Sequence, residues 1–230
     1  MAQAETLQGL HLMLVHNPEQ AIQRVHGMQG ERPRWHKIIV HGEKADWLNR
    51  MPPGTCWDIR NVDISEEPLT AANAERLGRE HAEVHARTLR NYGAAGIAPD
   101  RLAFEGRNEP LPDEFPYVAR YEVARIRRAQ ELGVPRLILC NFSVGQPSTI
   151  GCRPDTATDW SPFEPIRAAM RPGDLLGLHQ YYGVGGPWEA WPDGHLRWVA
   201  EGGRHLMCPW DVPIFISEGG IDDGVNGRPK

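Results

Sequence analysis

Two short stretches place carboxylates where carboxylates can do chemistry: FEGRNEP at residues 104–110 and ISEGG at residues 216–220. In an extended chain, residues two apart share a face, so Glu105, Arg107 and Glu109 are expected to point the same way. Charges grouped on one face of an apolar strand cost free energy unless they pair or react. By the same spacing, Ile214, Ile216 and Glu218 share a face of a later run, and Leu175, Gly177, His179 and Tyr181 share one of the run before it. Glu109, Glu218, His179 and Tyr181 would then converge. Two carboxylates facing each other across a cleft are the minimum equipment for breaking a glycosidic bond. One donates a proton to the leaving oxygen, and the other attacks or activates water. The plainer alternative is a surface β-edge with ordinary salt bridges.

The elements that must position these residues alternate along the chain. Apolar runs at 9–16, 36–42, 55–62, 101–109, 136–144, 174–182 and 213–220 read as strands buried on both faces. Helical spacing appears at 117–132, where Ala119, Val123, Ile126 and Leu132 recur and Gly133 and Pro135 stop the helix. A longer charged helix is expected over 71–90, with Pro68 and Thr70 at its entrance, and two more over 162–171 and 195–207. Repeated β-then-α units imply a parallel sheet. An open doubly wound sheet and a barrel compete for that pattern, and no GxGxxG follows the first strand, where a dinucleotide fold would carry it. Polar residues gather instead at the C-terminal ends of strands, at His41, Asn61, Glu109, Asn141, His179, Tyr181 and Glu218. Barrel enzymes build their sites there. The expectation is therefore α/β of the (β/α)8 TIM-barrel type, incomplete, with seven strands present. It forms a single catalytic domain over residues 1–230, truncated at its C-terminus, because few residues follow Glu218.

FE followed by Asn-Glu-Pro on the fourth strand, HQY on the sixth and ISEGG on the seventh resemble the clan A glycoside hydrolases, in the same order along the chain. The resemblance runs from the third strand to the seventh. It implies a retaining glycosidase acting on a β-linked oligo- or polysaccharide, with no cofactor and no metal. Glu109 would be the acid/base and Glu218 the nucleophile. Asn108 would hydrogen-bond the sugar 2-hydroxyl, Tyr181 would orient Glu218, and His179 would support the site through hydrogen bonds. Glu105, deeper in the barrel, would be structural, with Arg60 or Arg107 as its partner. The family commonly supplies an aromatic platform from an eighth strand, for which this chain shows no counterpart.

Other residues admit two readings each. Trp188 and Trp191, in GGPWEAWPDG, can stack on sugar rings or pack their loop against the rim, and Trp160 is a similar, weaker candidate. Arg60 and Asn141, at strand ends, are candidates to contact substrate, although Asn141 and Ser143 also suit local turn bonding before Gly145 and Pro147. His81 and His85 stand four apart on a helix, a spacing that can hold a metal, but without the glutamate of HExxH a structural or surface role fits better. Cys56, Cys140, Cys152 and Cys208 show no CxxC pairing. Cys140, in RLILC, reads as a core residue, and a Cys140–Cys152 disulfide is conceivable.

The totals exclude little but point one way. The chain is 40% apolar and 24% charged with a net charge of −5, which is ordinary for a globular protein and gives no electrostatic footprint for nucleic acid. The N-terminal residues lack the features of a secretion signal, and no apolar run approaches the ~20 residues of a membrane span. A cytoplasmic protein is the default, with secretion open if a leader precedes the chain. Two rivals to the glycosidase are a metal-dependent barrel hydrolase and a carbohydrate-binding barrel without turnover.

Overall fold

Runs in which apolar residues occupy both faces need cover on both sides, and parallel strands give them that environment. A computed structural model, described for residues 11–12, 22–23, 35–40, 46–143, 146–147, 159–183 and 210–222, places them in one all-parallel sheet. Its strands are β1 (His11–Leu12), β2 (Trp35–Val40), β3 (Cys56–Asn61), β4 (Leu102–Glu105), β5 (Leu137–Phe142), β6 (Leu175–Gly183) and β7 (Ile214–Asp222), each lying beside the next in sequence order. β1 is a two-residue edge segment, so six strands of four to nine residues carry the sheet.

The expected (β/α)8 barrel is not what forms. Among the described residues β1 pairs with β2 and β7 with β6, and the two outer strands do not meet. The sheet curls like half a barrel and stays open. Closure requires each strand to hydrogen-bond two neighbours around a ring, and here the outermost strands each have one. Among the described residues the two outer strands are therefore paired on one side only.

Among the described residues, three helices of six residues or more pack on the sheet: α1 (Ala74–Ala94), α2 (Phe115–Glu131) and α3 (Glu164–Ala169). α1 buries Ala74, Leu77, His81, Val84, His85 and Thr88, a stripe at three- and four-residue spacing. Gly78 lets α2 approach closely, since a Cβ there would lie 2.2 Å from the Tyr121 carbonyl oxygen. Ile38, Ile59, Phe104, Leu137 and Leu139 of the sheet join Leu77, Ala82, Tyr121 and Ile126 of the helices in one apolar core. Near the end of β5, Phe115, Phe142, Phe163, Trp160 and Trp210 meet edge to face. Trp160 is therefore a buried core residue and not a sugar platform. The expected helices at 71–90, 117–132 and 162–171 are present with shifted ends, whereas the one at 195–207 lies outside the described residues.

Candidate active site

The register decides which charges meet. Lys37 of β2 is directly opposite Asp58 of β3, and Asp58 is opposite Ala103 of β4, two residues before Glu105. Ile38, Ile59 and Phe104 alternate with them and face the core. Lys37, Asp58, Arg60 and Glu105 thus share the face of the sheet away from the apolar core.

On that face Lys37 is the hub. Its Nζ donates to Glu105 Oε1 at 2.8 Å and to Glu218 Oε1 at 2.7 Å, and lies 2.7 Å from Glu105 Oε2. Arg60 Nη1 reaches the same Glu218 oxygen at 3.2 Å. Burial alone would lower the Lys37 ammonium, but the negative charges of Glu105, Asp58 and Glu218 outweigh it and hold the group above its ordinary value. Asp58 is fully buried, and burial together with the charge of Glu105 pushes its carboxyl well above the usual range. For Glu105, burial opposes ionisation, but Lys37 and a hydrogen bond with Asp58 win and its carboxyl falls below the ordinary value. Burial therefore favours the neutral form of Asp58, while Lys37 favours the ionised form of Glu105.

β7 reaches the site through a shift. Ile214 and Ile216 pair with Leu176 and Leu178, and then one residue is skipped so that Glu218 pairs with His179. The expectation that Ile214, Ile216 and Glu218 share a face fails at this point, because the extra residue turns Glu218 onto the polar face beside His179. His179 Nδ1 hydrogen-bonds Glu109 Oε1 at 2.7 Å and lies 3.7 Å from Glu218 Oε2. Glu109, His179 and Glu218 each bring one ligand atom within 4.8 Å of the other two. The same trio has the donors and spacing to hold a cation.

Glu109 gets there by leaving the strand. β4 ends at Glu105, and Glu109 sits at φ 42°, in the left-handed region, so the expected common face of Glu105, Arg107 and Glu109 does not exist. Arg107 turns away, to Glu114 at 2.7 Å and the Glu67 carbonyl at 2.7 Å. Glu105 accordingly has a lysine for a partner, and the expected pairing with Arg60 or Arg107 is corrected. Arg60 belongs to Glu218.

The bend that seats Glu109 is braced from the helices. β5 carries an irregularity between Leu139 and Phe142, with Cys140 at φ 72° and Asn141 at φ 42°. The Asn141 carbonyl accepts the Glu109 N–H at 3.2 Å. From behind, Glu122 of α2 accepts the Cys140 N–H at 2.7 Å. Arg125 holds Glu122 at 2.8 Å and donates to the Phe104 and Ile138 carbonyls. Tyr121 accepts the Arg107 N–H at 3.0 Å and pairs with His81 at 2.7 Å. His81 and His85 are thus buried members of this bracing network, structural as expected but not on the surface. Gly177 of β6 completes it, since a Cβ there would lie 2.1 Å from Asn141 Oδ1.

Of the expected site residues, Glu109, Glu218, His179, Arg60 and Asn141 come together on one face. Asn108 adjoins them, and its buried Oδ1 has no partner among the described residues. Tyr181 lies two residues past His179 and pairs with Gly220, its side chain outside the described residues. Trp188 and Trp191 also lie outside them. Cys140 is a core residue, as expected, and Cys152 is not described. Sequence reasoning missed Lys37 and Asp58. The signal was there: a lysine within HKIIV and an aspartate within CWDIR sit mid-strand among apolar residues, and such charges are buried only when paired.

No family model matches the chain, and no curated protein resembles it closely enough to carry an assignment. No helix of the described residues is long and apolar enough to cross a membrane.

Proposed function

We propose that the protein is a retaining glycoside hydrolase acting on β-linked oligo- or polysaccharide, of the kind its NEP, HQY and SEGG stretches resemble. The observation that carries this reading is the approach of Glu109 and Glu218, one oxygen of each lying within 4.8 Å of the other across His179. Retaining enzymes hold their carboxyl groups ~5–5.5 Å apart, while inverting ones leave ~6.5–9.5 Å for a water. The short approach favours attack by the protein itself.

The two carboxylates have different surroundings that suit different tasks. Glu218 is gripped by two cations and its side chain is 10% exposed, which favours the anion a nucleophile must be. Glu109 is held by His179 with 36% of its side chain exposed, where a leaving group can reach it. In the first step a Glu218 oxygen bonds to the anomeric carbon as the bond to the leaving oxygen breaks and Glu109 gives that oxygen its proton. In the second, Glu109 takes a proton from water, whose oxygen displaces Glu218 and frees the sugar. Asn108 and Asn141 offer polar side-chain atoms that no described residue satisfies, which suits sugar hydroxyls. Tyr181 as orienter of Glu218, and Trp188 and Trp191 as stacking surfaces, are part of the same proposal.

The metal-dependent hydrolase stays in play on one observation, the cation-sized arrangement of Glu109, His179 and Glu218. A panel of β-linked polysaccharides incubated with wild type, Glu218→Gln and EDTA-treated protein separates the readings. The glycosidase reading expects reducing ends from wild type with or without EDTA and none from Glu218→Gln. Activity lost to EDTA and restored by a divalent ion would transfer the assignment to the metal reading.

A further inference from the structure

The proposed reaction needs a nucleophile fixed in both charge and rotation, and the resemblance names no residue of β2 for that work. We infer that Lys37 is a positioning residue that pins Oε1 of Glu218, anchored for that purpose on buried Glu105. This inference rests on the glycosidase reading and deepens it.

Four observations carry it. Lys37 sits mid-strand and only 4% exposed, and its ammonium is held by protein carboxylates. It spans the two carboxylates with bonds of 2.8 and 2.7 Å, lengths of charge-assisted hydrogen bonds. Arg60 meets the same Glu218 oxygen at 3.2 Å, so two donors from β2 and β3 converge on one atom and set the rotation of the carboxylate. Glu105 and Asp58 are both fully buried, and Glu105 holds the Lys37 ammonium that also bonds Glu218. A lysine with Glu105 alone would form a closed buried pair. The second bond, to Glu218 on a strand five places across the sheet, links that pair to the site.

The arrangement also explains why Asp58 is present. Asp58 is fully buried and directly opposite Lys37 on the neighbouring strand, and burial with the charge of Glu105 favours its neutral form, so it adds no second buried anion beside Lys37. Glu105 then stays ionised opposite Lys37, and Lys37 remains available as a donor to Glu218.

The test uses 2,4-dinitrophenyl β-glycosides (glucoside, galactoside, mannoside and xyloside), whose leaving group needs little help from an acid, so the first step reports on Glu218. For the sugar that wild type turns over, Lys37→Met is expected to lose about 100-fold in kcat with KM changed less than about threefold, as when a reacting group is misplaced. Lys37→Arg, which keeps a charged donor, is expected to recover at least about a third of that loss on a logarithmic scale. Since Lys37→Met strands a buried anion, the double variant Lys37→Met/Glu105→Gln is measured beside it, with circular dichroism to establish folding. A folded single or double variant with kcat within about threefold of wild type overturns the inference. So does a double variant that is unfolded, which would make Lys37 a stability residue. If wild type hydrolyses none of the four glycosides, or Glu218→Gln matches wild type, the glycosidase reading fails first and this inference falls with it.

Discussion

Glu109 and Glu218 are the same residue type made unlike by their neighbours. Two cations hold one, and a histidine and solvent surround the other. That difference predicts how leaving groups should divide the variants. Glu109→Gln should lose ~10²–10⁴-fold in kcat/KM on a natural glycoside, whose leaving oxygen needs a proton. On a dinitrophenyl glycoside its first step should stay near the wild-type rate, read as a burst of dinitrophenolate. Equal losses on both substrates would remove the acid role. Glu109 and Glu218 were legible in the sequence as a candidate pair because the short NEP and SEGG stretches mark them, and a local pattern suffices for that. Lys37 was not, because its partners lie 68 and 181 residues away and become partners through strand register alone. A strand pattern says that a charge is costly. It does not say what relieves the cost.

At the scale of elements, the site depends on two departures from regular strands, the shift in β7 before Glu218 and the bent end of β5 at Cys140 and Asn141. Neither was legible, since an alternating pattern reads straight through an inserted residue, and it set Ile216 and Glu218 on a common face that does not exist. The bend in β5 is held by Glu122 and Arg125 from behind and by the absence of a Cβ at Gly177 in front. Glu122→Ala leaves the buried Arg125 guanidinium unpaired and should destabilise by roughly 3–5 kcal/mol in urea unfolding. Gly177→Ala inserts a methyl where Asn141 Oδ1 lies, which should cost about 1–3 kcal/mol and lower activity by moving the carbonyl that seats Glu109. A Gly177→Ala protein with wild-type stability and activity would show that Asn141 does not set this geometry. Within the described residues, the strands from β2 to β7 and the helices α1 to α3 were readable to within a few residues, because hydrophobic period and Gly/Pro stops act locally.

For the whole molecule, the alternation of strands and helices correctly implied a parallel sheet, and the clustering of polar residues at strand ends suggested a ring that the described residues do not close. Such clustering follows from parallel strands curling to one side, which half a barrel does as well as a whole one. The buried histidines behind the sheet give the fold a pH signature. Burial, then the charges of Arg125 and Arg107, holds His81 down to about 3, and burial with Arg125 holds His85 well below its ordinary value. Their contribution is complete above the unfolded value of ~6.5 and is lost as pH falls, at about 1.4 kcal/mol per pH unit for each histidine. Urea midpoints should therefore drop between pH 7 and pH 5, and His81→Gln, which can keep the bond to Tyr121 without titrating, should flatten that dependence. An unchanged slope would contradict the buried neutral state of His81.

The central claim is a covalent route through Glu218, and the anomeric form of the first sugar released tests it most directly. Proton NMR of the reaction with the dinitrophenyl β-glycoside that the protein accepts, recorded before mutarotation, should show the β anomer appearing first. The α anomer appearing first would mean a single displacement by water and would contradict the roles given to Glu218 and Lys37.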